Sequence, residues 1–173
     1  MNRKISNIVL TGMPGSGKST TGVILSKVLS RGFIDTDILI QTRFGCSLQE
    51  IVDTEGHMGL RAKEEEVLLS LECEDHVIAT GGSAVYSDRA MARLRETGLL
   101  VFLDVDLNVL ESRVRNAATR GLAARKDQGI ADLYSERMPL YRRWADITVK
   151  SSRMSHEELC AEIICLCQGK TQH

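Results

Sequence analysis

The chain has 173 residues, a length that points to one domain with room for a proper core. Its 22 basic and 23 acidic residues give a formal net charge of −1, which offers no support for a nucleic-acid groove or a membrane-surface patch. No stretch approaches the roughly 20 apolar residues of a membrane span. Five cysteines (Cys46, Cys73, Cys160, Cys165 and Cys167) fit a reducing compartment where thiols stay free, so a cytoplasmic location is expected.

In chain order, Met1-Asn2-Arg3-Lys4 leads into a short strand over residues 5–11 rather than into a signal peptide. Gly12-Met13-Pro14-Gly15-Ser16-Gly17-Lys18-Ser19-Thr20 follows and opens into a helix over 18–29, the strand–loop–helix context that a phosphate-binding loop requires. Its glycines let backbone N–H groups converge on an anion, and the helix end adds its partial positive charge. Lys18 can then reach the β and γ phosphates of a nucleoside triphosphate, and the Ser19 hydroxyl can ligate Mg²⁺.

Further strands are expected at 33–34, 76–79, 99–103 and 146–149. Helices are expected near 54–71, 88–96, 107–117 and 130–143, with a last one after Ser155. Short apolar strands alternating with helices indicate an α/β fold, a parallel sheet covered on both faces. Ligands of such sheets bind at the carboxyl ends of the strands. Residues 117–129 are small, charged and glycine-punctuated, and read as a mobile surface loop.

The residues after each strand carry the candidate chemistry. Asp35-Thr36-Asp37 follows the second strand; one carboxylate can serve Mg²⁺ while the other deprotonates an attacking hydroxyl. Helix capping is the alternative for one of them. Gly81-Gly82-Ser83 follows the third strand, exposing backbone N–H groups to a small ligand or forming only a tight turn. Arg61 and Glu64 are spaced so that Glu64 can hold the guanidinium, whose fork suits a carboxylate; a solvated pair is the alternative. Arg120, in the mobile stretch, can close over the γ phosphate. Arg137 opens Arg137-Met138-Pro139-Leu140-Tyr141. Taken singly, each of these two arginines could be an ordinary surface residue.

In this order the pieces resemble the shikimate kinase family, over roughly residues 8–149. The resemblance rests on the loop Gly12 to Thr20, on Asp35-Thr36-Asp37, and on Glu55-Gly56 with Leu60-Arg61 and Glu64. It also rests on Ala79-Thr80-Gly81-Gly82, on Leu110 with Arg113, and on Arg137 with Pro139-Leu140-Tyr141. It implies a three-layer P-loop kinase domain with a five-stranded parallel sheet of order 2-3-1-4-5, an acceptor-binding segment about 36–64 and a lid about 117–129. ATP with Mg²⁺ would phosphorylate a hydroxyl of a small carboxylate-bearing acceptor, with no nucleic-acid or membrane partner and a monomer expected. Gly12, Gly15, Ser16, Gly17, Lys18, Ser19 and Thr20 would hold the phosphates, Arg113 the adenine, and Ser19 with Asp35 the metal. Lys18, Asp37 and Arg120 would be catalytic. Asp37, Arg61, Gly81, Gly82 and Arg137 would hold the acceptor.

Three positions depart from the family pattern. Ser83 stands where a third glycine is usual and should set a hydroxyl at the acceptor carboxylate. Leu60 replaces an aromatic wall, and the lid reads Arg120-Gly121-Leu122-Ala123 instead of Arg-Pro followed by leucines. Shikimate is the favoured acceptor, and another hydroxy acid such as L-homoserine is the alternative. A nucleoside kinase suits the two clamp arginines less well. A P-loop regulatory module would need no second pocket and so no Asp37, Arg61 and Arg137 together.

Overall fold

Five short apolar runs pair in the computed structural model, which describes residues 6–115 and 128–171, as one parallel sheet. The strands are β1 (Asn7–Thr11), β2 (Gly32–Asp35), β3 (His76–Ala79), β4 (Gly98–Asp104) and β5 (Ile147–Lys150), in the order β2-β3-β1-β4-β5. That order is the expected one. Register aligns Leu10 of β1 with Ala79 of β3, and Ala79 with Asp35 of β2. The phosphate-loop candidate, the Asp35-Thr36-Asp37 run and the Gly81-Gly82 pair therefore leave the sheet side by side at the carboxyl end of its strands.

Seven helices occupy the described residues: α1 (Lys18–Leu29), α2 (Thr36–Phe44), α3 (Leu48–Leu69), α4 (Asp88–Thr97), α5 (Leu107–Arg115), α6 (Ile130–Trp144) and α7 (His156–Thr171). All five residues of β1 are buried, as a sheet covered on both faces demands. Ile8 and Leu10 pack with Leu25 of α1 and Ile163 of α7, while Val9 packs with Leu68 of α3 and Met91 of α4. The period-two alternation of β1 thus assigns each helix pair its face.

Two helical boundaries differ from the sequence expectation. Periodicity marks no helix over α2, where only Thr36 and Ile40 are buried and Ile38 is exposed, so the capping alternative at Asp35-Thr36-Asp37 was its one local sign. Its start is set instead by Asp35, whose Oδ1 accepts the N–H groups of Asp37 (3.0 Å) and Ile38 (3.4 Å). Helix α3 begins at Leu48 rather than near 54, because Ser47 and Glu50 form a reciprocal capping box. Gly56, at φ 74° and ψ 177°, interrupts it. The expected lid, including Arg120 and Gly121-Leu122-Ala123, lies outside the described residues apart from Gln128 and Gly129.

Tyr141 of α6 ties the loops at this end of the sheet to the core. Its ring stacks on Phe102 of β4 at 5.0 Å between centroids. Its hydroxyl shares its one proton between the carbonyls of Gly82 (2.6 Å) and Gly12 (3.0 Å), the nearer being Gly82. Gly12 O also receives Lys18, so Tyr141→Phe chiefly deprives Gly82 O of its donor. The expected cost is about 1–3 kcal/mol, read by urea denaturation; an unchanged midpoint and slope would show the bond to be dispensable.

Candidate active site

Gly17 is the N-cap of α1 with φ 91°, a left-handed conformation, and offers no side chain to cap the helix. The first helical bond runs from the Thr21 N–H to the Gly17 carbonyl. The N–H groups of Lys18, Ser19 and Thr20 therefore precede the ladder and are available to an anion. Lys18 folds back over the loop, its Nζ donating to Gly12 O and Met13 O, both at 2.9 Å, and reaching Ser16 Oγ at 3.4 Å. Burial pushes its pKa down to about 8, against the pull of the Asp37, Glu64 and Asp35 carboxylates. An ammonium resting on carbonyls at the mouth of an anion nest is a cation set to meet phosphate.

A cleft of about 350 Å³ joins this loop to the ends of β2 and β3. It is lined by Gly15, Gly17, Lys18, Ser19 and Thr20 on one side. Asp35, Asp37, Gly81, Gly82 and Arg137 line the other. Gly12 and Ser16 lie beneath, as the backbone and hydroxyl that receive Lys18. Arg113 of α5 is exposed and donates to Gly15 O at 3.1 Å, at the outer side of the loop.

Asp35 is the helix cap, so the capping alternative holds for this carboxylate. Both capping bonds fall on Oδ1, and the Ser19 hydroxyl is exposed on the same cleft. Two oxygen donors beside a phosphate site fit Mg²⁺, a hard cation that keeps waters and takes its remaining ligands from phosphate. Asp37, in the first turn of α2, lines the cleft.

Glu64 departs from expectation. It does not hold Arg61: its carboxylate is 2% exposed and accepts a hydrogen bond from Ser83 Oγ through Oε2. Its Oε1 is buried without a hydrogen-bond partner. Ser83 likewise presents its hydroxyl to Glu64. Burial, reinforced by the Asp37 charge, raises the Glu64 pKa to about 7, with Ser83, Arg137 and Lys18 opposing. A carboxyl held more tightly protonated in the native state than in the unfolded chain loses stability as pH rises from 4.5 through about 7. Glu64→Gln has no such proton to lose, so its melting temperature should vary less across that window than the parent's. Parallel curves would remove Glu64 as the cause.

Gly81 contributes differently from expectation. Its N–H already donates to Thr36 Oγ1 at 3.0 Å, so of the pair the Gly82 N–H is the candidate donor to a ligand. A Cβ on Gly82 would sit 2.9 Å from Arg137 Nη1 and 3.0 Å from Pro14 Cδ, which is why the position needs glycine. Arg137, on α6, is 1% exposed and donates from Nε to Tyr86 Oη at 3.1 Å. The Arg61 guanidinium lies over the Tyr86 ring at 3.5 Å and pairs with Glu136 at 3.9 Å. Sequence reasoning missed Glu64 as a cleft group, Thr36 as a backbone anchor, and Tyr86 altogether. Glycines 81 and 82 were the available signal for Thr36 and Glu64, since a residue without a side chain leaves room for neighbours.

A parallel sheet of order 2-3-1-4-5 with an anion-binding loop after its central strand, opening on a second, charged pocket, defines a small-molecule P-loop kinase. The comparisons narrow this. The family model described as shikimate kinase matches residues 14–168, and the chain belongs to that family. A shikimate kinase of Nitrosospira multiformis is 38% identical over 160 residues, covering 91% of this chain and 82% of the relative. Among solved structures, the shikimate kinase of Acinetobacter baumannii in complex with shikimate superposes with a TM-score of 0.89. It is 30% identical and covers 97% of this chain and 96% of its own. The Aquifex aeolicus shikimate kinase gives 0.82 at 36% identity, covering 95% and 98%.

Proposed function

We propose that this chain transfers the γ-phosphoryl group of ATP to a hydroxyl of shikimate, giving shikimate 3-phosphate and ADP. The observation that carries this reading is the single cleft in which Lys18 and the helix N-terminus face Asp37 and the buried Arg137. One side suits phosphates; the other suits an acceptor with both a hydroxyl and a carboxylate. Its family relatives carry the name shikimate kinase, and the Acinetobacter baumannii relative was solved with shikimate.

In this reading Asp37 accepts the proton of the attacking hydroxyl, whose oxygen bonds to the γ phosphorus as the bond to the leaving ADP oxygen breaks. Lys18 and the N–H groups of residues 18–20 neutralise the phosphates, and Arg120 adds to them from the lid. Ser19 and Asp35 would hold Mg²⁺, which would supply further charge neutralisation. Arg137, Arg61 and the Gly82 N–H hold the acceptor carboxylate. Catalysis is then positioning and electrostatic stabilisation rather than covalent chemistry. We place the whole reaction in one domain of a cytoplasmic monomer, with residues 36–64 as the acceptor-binding segment. Five free cysteines support the cytoplasmic part of that view.

The test is ADP release by coupled assay with shikimate, with L-homoserine and without acceptor. Stimulation by shikimate is expected. Stimulation by L-homoserine alone would replace the acceptor and keep the machinery, while slow hydrolysis indifferent to both would favour a regulatory nucleotide-binding module. Arg61→Lys is expected to raise the shikimate KM about tenfold with kcat little changed, because an ammonium cannot reproduce a bidentate fork. Steady-state kinetics checks this, and an unchanged KM would take Arg61 out of the clamp.

A further inference from the structure

We infer that Tyr86 is a positioning residue that sets both acceptor-binding arginines at once. This rests on the reading that Arg61 and Arg137 hold the acceptor carboxylate. Tyr86 ends a short 3₁₀ turn, Ala84–Tyr86, that leaves β3 directly after Gly81-Gly82-Ser83. Arg61 comes from α3 and Arg137 from α6, and the Tyr86 side chain reaches both. Its ring lies 3.5 Å beneath the Arg61 guanidinium carbon and 5.2 Å from that of Arg137. Its hydroxyl accepts from Arg137 Nε at 3.1 Å and is hydrogen-bonded with Glu136, which also pairs with Arg61 Nη2 at 3.9 Å.

Each contact constrains a different freedom. Stacking on the ring face fixes the plane of the Arg61 guanidinium and leaves its N–H edges pointing outward from the stack. The bond through Nε fixes the plane of Arg137, and its Nη1 borders Gly82 on the cleft. Two cations aimed at one carboxylate repel each other. The negative face of one aromatic ring, with Glu136 across from it, gives them a common negative partner before the acceptor arrives. The flat surface absent at Leu60, which packs instead with Ile40, Ile51 and Val67, stands here under the arginine.

The experiment compares shikimate and ATP kinetics of the wild type with those of Tyr86→Phe, Tyr86→Leu, Arg61→Lys and Arg137→Lys, with a melting temperature for each. Tyr86→Phe keeps the ring and loses the hydroxyl, so a rise of about threefold in shikimate KM is expected. Tyr86→Leu loses both and should raise it about thirtyfold, with the ATP KM unchanged and kcat within a few-fold. That graded, acceptor-only effect is what a merely structural residue would not produce. Equal effects on both KM values, or none, with Arg61→Lys and Arg137→Lys raising the shikimate KM, would overturn the Tyr86 assignment alone. If neither arginine variant altered the shikimate KM, the clamp itself and Tyr86 with it would fall. A wild type that shikimate does not stimulate would refute the acceptor before any variant is compared.

Discussion

Lys18→Met is expected to lower kcat/KM for ATP at least a thousandfold, to the limit of a coupled assay, while the fold survives. Removal of one preorganised donor to developing charge costs about a hundredfold to a thousandfold, and Lys18 contributes a full charge as well as a donor. The site magnifies that charge. Lys18 is 8% exposed, so water screens it little. With its pKa lowered only to about 8 it is still predominantly protonated at neutral pH. The fold should tolerate the change because methionine replaces the stem, and because burial of this ammonium is itself unfavourable, as its lowered pKa records. Against that gain stand the carbonyls of Gly12 and Met13, which each lose a donor at 2.9 Å. Gly12 O keeps Tyr141, so these effects largely offset. Wild-type-like turnover in a folded Lys18→Met protein would sink the phosphate-loop assignment.

The elements that position this site were legible where the chain writes them in local chemistry. The phosphate loop lies between a buried strand and a helix whose bounds, Lys18 to Leu29, coincide with the expectation, and so does β3. Helix α2 was not legible from periodicity, because it buries one face so narrowly that Thr36 and Ile40 alone are enclosed. The true start of α3 carried a readable sign, the capping box of Ser47 with Glu50, which the expected start near 54 did not use. The arrangement of charges was harder. A spacing of three residues on a helix allows Glu64 to meet Arg61, yet two outside groups compete for them: the Ser83 hydroxyl takes Glu64 and the Tyr86 ring takes Arg61. Both competitors come from the turn after β3, distant in sequence. Only a tertiary contact decides such a choice, and no helical periodicity contains it.

Asp37→Asn is expected to cut kcat about a hundredfold to ten-thousandfold, the range a positioned general base contributes, with ATP binding retained. The structure separates the two carboxylates that their spacing alone left interchangeable. Asp35 accepts both capping N–H groups, so Asp35→Asn keeps a good cap and should change stability little. Asp37 donates its backbone N–H to that cap and turns its side chain to the cleft, where its charge acts on Lys18 and on Glu64. Asparagine preserves the shape but cannot take a proton at neutral pH. Its effect on stability is the difference of two small terms. Loss of an acidic residue from the first turn of α2 removes about 0.3–1 kcal/mol of helix-dipole interaction. Loss of the like charge beside Glu64 works in the opposite direction, since Asp37 is among the causes that raise the Glu64 pKa. The melting temperature should therefore move by a few degrees at most. Calorimetric ATP titration, single-turnover phosphoryl transfer to shikimate and thermal melts distinguish the roles. A kcat near wild type with a clearly lowered melting temperature would make Asp37 a helix-end residue and leave the reaction without its base.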